Sequence, residues 1–151
     1  MSADAPPAAA RGRRRRLGAT WALRGAAAAL AGTMAGIHFD LYAAHGYSHI
    51  PTIGPLFLFN GAVGVVLGLA LLATPGRLLV LPALATVVLL AGTIGGLALS
   101  VNVGLFGFTE TSRAPLFDPA LAVEAAGIVV SLVLAAAAPL GANRGGLTRR
   151  R

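Results

Sequence analysis

Two stretches of 22 residues, Ile53 to Thr74 and Leu78 to Leu99, carry no charged side chain and are separated only by Pro75, Gly76 and Arg77. At 1.5 Å per residue, a helix made from either one crosses the ~30 Å hydrocarbon core of a bilayer. The short Thr74-Pro75-Gly76-Arg77 turn makes the pair an antiparallel hairpin. Composition points the same way: 56% of the 151 residues are hydrophobic, 11% are charged and the mean hydropathy is +0.78, too apolar for a soluble domain of this length.

Two further apolar segments flank the hairpin. The first runs from Leu17 to about Phe39 and is broken only by Arg24, which sits about a turn inside and can snorkel back to the interface beside Trp21. Gly46 as a C-cap extends this helix to His45, and Pro51 and Pro55 forbid simple continuation. A signal peptide shares the basic flank, but its apolar core is only ~7 to 15 residues, and no clean cleavage site follows here. At the other side, Asp118-Pro119 supplies a carboxylate N-cap with proline at the first helical position, opening a segment to about Leu140 that carries Glu124. The expected fold is an all-α integral membrane four-helix bundle. Its transmembrane domain covers 17–140, with spans near 17–45, 53–74, 78–102 and 119–140, between disordered basic tails at 1–16 and 141–151.

Four spans place both termini on one side. That side collects Arg11, Arg13, Arg14, Arg15, Arg16, Arg24, Arg77, Arg144, Arg149, Arg150 and Arg151, against Arg113 alone on the other. The positive-inside rule then makes both termini cytoplasmic in a bacterial plasma membrane and puts 45–52 and 103–118 on the outer face. The arginine tails are expected to lie on anionic lipid headgroups at roughly 1 kcal/mol per residue, which accounts for the sequence pI near 11.7 without nucleic acid. A chain rich in Ala, Gly and Arg with no Lys reads as GC-rich coding and hints at an actinobacterial source. Absence of cysteine excludes disulfides, thiolate metal sites and paired-cysteine electron transfer to a quinone.

Small residues recurring every four positions mark a helix face on which backbones can approach closely. Each of the four expected spans has such a stripe, and each ends in a polar side chain: Gly32 and Gly36 lead to Asp40, Gly68 and Gly64 to Asn60, Gly92 and Gly96 to Ser100, and Ser131 and Gly127 to Glu124. If the stripes face one another, Asp40, Asn60, Ser100 and Glu124 converge inside the bundle near the outer leaflet. An intramembrane acid normally faces a bundle interior with a partner, and His38 and Arg113 are the candidates for Glu124. A structural hydrogen-bond cluster with Asn60 is the plain reading, and a ligand, proton or metal site is the other.

His38, Tyr42, His45 and His49 follow a 4, 3, 4 spacing. His38, His45 and His49, with Glu110, have the nitrogen and oxygen chemistry to bind zinc or copper, although the spacing matches no closed motif and interfacial histidines without metal are the simpler expectation. No cofactor is otherwise implied. No phosphate loop, nucleophile elbow or pair of catalytic acids is present. The chain therefore reads first as a non-enzymatic accessory or interaction subunit, within a larger membrane complex or a homo-oligomer. Second, it reads as a ligand-binding protein whose outer pocket uses His38, Asp40, Tyr42, Asn60, Ser100 and Glu124.

The segments H-F-D-L-Y, G-Y-S-H-I-P-T-I-G-P-L-F-L-F-N and G-L-F-G-F-T-E, with V-E early in the last span, resemble a family of small four-span actinobacterial membrane proteins of unknown function. The resemblance runs from Gly36 to Ser131. It supports the span count while contributing no activity, cofactor or catalytic residue, and it gathers His38, Asp40, Tyr47, Pro51, Thr52, Asn60, Glu110 and Glu124 at one end of the bundle.

Overall fold

A computed structural model of the chain describes residues 8–142, and among these the structure is helical. Helix α1 covers Ala8–Ala44, α2 Ile53–Ala73, α3 Val80–Asn102 and α4 Phe117–Ala142, with single 3-10 turns at Tyr47–His49 and Gly76–Leu79. Three segments are long and apolar enough to cross a membrane: Ile53–Ala73, Gly76–Asn102 and Phe117–Ala138, each with a mean hydropathy of 2.3 over its best window. In α1 the apolar run is diluted by Arg24, His38 and Asp40.

The basic stretch expected to be disordered instead continues α1 back to Ala8. Alanine and arginine are both strong helix formers, and a single Gly12 among them is not enough to break a helix already stabilised downstream. The expectations for residues 1–7 and 143–151 lie outside the described residues. At its other end α1 stops at Ala44, where Gly46 takes a left-handed conformation with φ of 81°. Helix α4 begins at Phe117, one residue before the expected cap, so Asp118 lies in its first turn, where a carboxylate still opposes the helix dipole.

The helices are arranged with α1 along both α2 and α4, and α4 along α3, while α2 and α3 touch least of the neighbouring pairs. The expected hairpin partners are thus joined but splayed, because each spends its close-packing face elsewhere. A Cβ at Gly64 would come within 3.1 Å of Ala35 Cβ and 3.2 Å of the Ala31 carbonyl oxygen, and one at Gly68 within 3.4 Å of the Ala28 carbonyl oxygen. Helix α2 therefore seats its glycines on α1. On α4, Gly127 receives Leu90 of α3 and also faces Leu30 of α1.

Gly32, Gly36 and Gly92 are the exceptions among the expected packing glycines: all three are exposed and nothing lies within 4 Å of a Cβ at any of them. Helix α1 packs through Ala27, Ala31, Met34 and Ala35 instead. This second small-residue face is rotated from the first, and it carries bulk at Met34 to fill the interface. Gly96 is half-buried with Leu105 Cδ2 at 3.8 Å.

Buried positions across the bundle are mostly small, as at Ala83, Thr86, Ser131, Ala135 and Ala138, whereas Val66, Leu69, Leu81, Val88 and Val129 are more than 60% exposed. Arg24 lies beside Trp21, as expected, with its guanidinium turned to the end of α2. It is 7% exposed and bonds the last carbonyls of α2, with the Trp21 ring 4.5 Å from its guanidinium carbon.

Candidate functional site

The bundle is well filled at the end that holds the Thr74–Leu79 turn, where Ala27, Leu71, Leu79, Ala83 and Leu134 form a core. At the opposite end the slack between α2 and α3 leaves a cavity of about 380 Å³. All four helices contribute to its wall: His38 and Leu41 from α1, Phe57 and Asn60 from α2, Gly92, Thr93, Gly96 and Ser100 from α3, and Phe117 and Glu124 from α4. The connecting segments roof it with Tyr47, Leu105, Phe108, Glu110 and Leu116.

The roof is held by a network tying both connections together. Tyr47 is buried, stacks on Phe57 at 4.7 Å, meets Phe108 edge-on at 5.9 Å and donates its hydroxyl to the Glu110 carboxylate. The Glu110 amide in turn donates to Ser100 Oγ at 3.1 Å and its carbonyl oxygen at 3.2 Å, and Ser100 Oγ donates to the Phe108 carbonyl at 3.4 Å. Burial, and then the bond to Glu110 and its negative charge, push the Tyr47 phenol well above the ordinary tyrosine range. A reversal at Phe106-Gly107 closes the loop, with Leu105 and Phe108 exchanging backbone bonds of 2.7 and 2.9 Å.

Inside the wall, Glu124 is 2% exposed and His38 6% exposed. The His38 Nδ1 lies 3.0 Å from the Met34 carbonyl oxygen. A carbonyl only accepts, so this nitrogen carries the proton and Nε2 is left for the cavity. The His38 ring leans on Phe57 at 5.1 Å. The Glu124 carboxyl has the Thr93 hydroxyl as its hydrogen-bond neighbour, and that hydroxyl also donates to the Leu90 carbonyl at 2.8 Å. Thr93 escaped the sequence reading because it lies off the Gly92-Gly96-Ser100 stripe, although a hydroxyl three residues from Gly96 was a usable signal.

Four of the expected polar residues, His38, Asn60, Ser100 and Glu124, line one space. Asp40 does not join them: its side chain is 52% exposed and its Oδ2 pairs with His45 Nε2 at 3.1 Å on the outside of α1. Two residues along a helix is a rotation of about 200°, so with His38 turned inward Asp40 must face out. Tyr42 is half-buried and outside the cavity wall. The four suggested metal ligands are also separated. His38 is in the cavity, His45 bonds Asp40, His49 is exposed and Glu110 is engaged by Tyr47 and by the Thr111 amide at 2.9 Å. Among the described residues no three His, Asp or Glu side chains come together in a way that could hold a metal ion. Arg113 is exposed on the loop and is absent from the wall around Glu124.

No family model, no curated protein and no solved structure matches the chain.

Proposed function

We propose that this is a four-span membrane protein, with both termini cytoplasmic, whose outer-half cavity binds a small, mostly apolar ligand. The cavity itself carries the reading. Its volume falls in the range of ligand sites, and a predominantly apolar wall with a few inward polar groups is the usual composition of such sites. Were the polar residues only a structural cluster, they would bond one another and close the space. Instead His38, Asn60 and Glu124 face a void, which favours ligand binding over a purely accessory role.

The membrane assignment rests on the inversion of side-chain size. Small residues such as Ala27, Ala31, Ala83, Thr86 and Ser131 take much of the interior beside Leu71, Leu90 and Leu134, while Val66, Leu69, Leu81, Val88 and Val129 face out, an arrangement suited to acyl chains rather than water. Helix α1 serves as the fourth span because it packs on α2 and α4 and its residues from Gly25 to Phe39 carry no acidic side chain, Arg or Lys. An alkaline phosphatase fusion at the carboxy end should be inactive in cells, and one within 103–116 active. The reverse pattern overturns the topology.

Binding is tested with Nile red, a neutral solvatochromic dye, on purified protein in maltoside micelles. Gly92 lines the cavity in open space, so Gly92→Phe fills the site without a backbone clash. Saturable dye fluorescence that falls at least about tenfold in affinity in this variant is expected. Equal binding by the two proteins contradicts the proposal.

A further inference from the structure

The cavity is unbalanced in charge. Its wall holds two carboxyl groups, Glu110 and Glu124, and neither arginine nor lysine; its one basic side chain is His38. Glu110 is already satisfied, by the Tyr47 hydroxyl and the Thr111 amide. Glu124 is not: at 2% exposure its neighbour is a single threonine hydroxyl that is itself committed to the Leu90 carbonyl. A carboxylate in an apolar setting needs a counter-charge or several donors, and the other polar groups of the wall, His38, Asn60 and Ser100, make no bond to it. The imidazole already spends one of its nitrogens on the Met34 carbonyl.

The same wall includes the rings of Tyr47, Phe57, Phe108 and Phe117. Aromatic walls attract cations as well as apolar groups. On the loosely packed seam between α2 and α3, Leu56 and Val88 belong to the wall and are also exposed, so the cavity wall reaches the surface there. Access through such a seam selects for molecules that dissolve among acyl chains.

We infer that the cavity accepts a hydrophobic organic cation, an ammonium or similarly charged centre within an apolar body, with Glu124 as its counter-charge. The inference rests on the ligand-binding reading above and adds the sign of the ligand's charge. The cation sits against the Glu124 carboxylate with the Phe57 and Phe108 rings alongside, and its apolar groups fill the space toward Leu89 and Leu97.

Tetraphenylphosphonium and tetraphenylborate test this directly, since they share one shape and carry opposite charges; triphenylphosphine oxide serves as the neutral reference. Binding to wild-type protein in maltoside micelles is measured by calorimetry against protein-free micelles. Tetraphenylphosphonium should bind at least about tenfold tighter than the neutral compound, and tetraphenylborate weakest of the three, as expected when a buried carboxylate attracts one ion and repels the other. Glu124→Gln should erase the cation preference, bringing the affinity ratio of tetraphenylphosphonium to the neutral compound, both measured on that variant, close to one. The wild-type ranking alone decides the charge sign, so the test survives a variant that fails to fold. Equal affinity for the three probes, or preference for tetraphenylborate, overturns the cation assignment while Nile red binding keeps the ligand site. Failure of every probe, Nile red included, overturns both.

Discussion

Arg24 Nε donates to the carbonyl oxygen of Leu71 at 2.8 Å, across 47 positions of sequence. Its Nη2 reaches the Leu72 carbonyl at 3.0 Å and the Thr74 carbonyl as well. A helix leaves its last four carbonyls without intrahelical partners. In α2 the Ala70 carbonyl is met by the Thr74 amide at 2.9 Å, and Arg24 takes the next two. The residue that breaks the apolar run of the first segment is thereby the C-terminal cap of the second.

Arg24→Ala should therefore cost about 3 kcal/mol, since several buried acceptors lose a charged donor at once. Arg24→Lys should recover only part of this, because an ammonium cannot span three carbonyls as the planar guanidinium fork does. Thermal midpoints in maltoside micelles check the order wild type, then Lys, then Ala. An alanine variant as stable as wild type would mean that the cap contributes nothing.

The Tyr47 phenol gives a pH signature outside the spanning segments. Its folded-state pKa is raised above the ~10 of an unfolded tyrosine. The neutral phenol's contribution to stability is thus whole below about pH 10 and is lost as pH rises above it. In a Tyr42→Phe background, phenolate absorbance should appear only above the ordinary tyrosine range. Glu110→Gln should lower that transition, because it removes both the carboxylate bond and its charge while leaving burial in place. Coincidence of the two titrations would break the Tyr47–Glu110 link.

Glycine substitutions separate the two small-residue faces of the bundle. Gly64→Val must displace Met34 and Ala35 and press on the Ala31 backbone, and should cost about 1–3 kcal/mol. Gly36→Ala meets nothing and should be neutral or stabilising by up to about 1 kcal/mol through helix propensity. If Gly36→Ala destabilised the protein as much as Gly64→Val, the exposed glycine face would be an interface after all.

The two glycine faces also show what could be read without coordinates. Charge-free length marked α2 and α3 outright, the Asp118-Pro119 cap opened α4, and glycine spacing oriented α2 and α4, whose Gly64, Gly68 and Gly127 do sit at helix contacts. In α1 it could not choose. Gly32-Gly36-Asp40 and Ala27-Ala31-Ala35-His38 are both small-residue stripes ending in a polar group, and period alone does not rank two such faces. What selects the alanine face is Met34 filling the interface, a volume effect visible only once neighbours are placed. The cavity was hidden for the same reason: it arises where α2 and α3 fail to pack, and no residue pattern encodes a gap.

The roof loop carries a mismatch between sequence and turn geometry. Phe106 and Gly107 are the central residues of the Leu105–Phe108 reversal, with φ of 50° and 79°. Positive φ at both positions is the type I′ pattern, which favours asparagine followed by glycine and penalises a bulky side chain at the first position. Phe106 is 65% exposed, so it returns little packing for that strain. Phe106→Asn should stabilise the loop by about 1 kcal/mol and slow amide hydrogen exchange at Leu105 and Phe108. Because Phe108 belongs to the cavity roof and Phe106 does not, Nile red affinity should stay unchanged. Faster exchange in the variant would show that the phenylalanine holds the turn by contacts its exposure does not suggest.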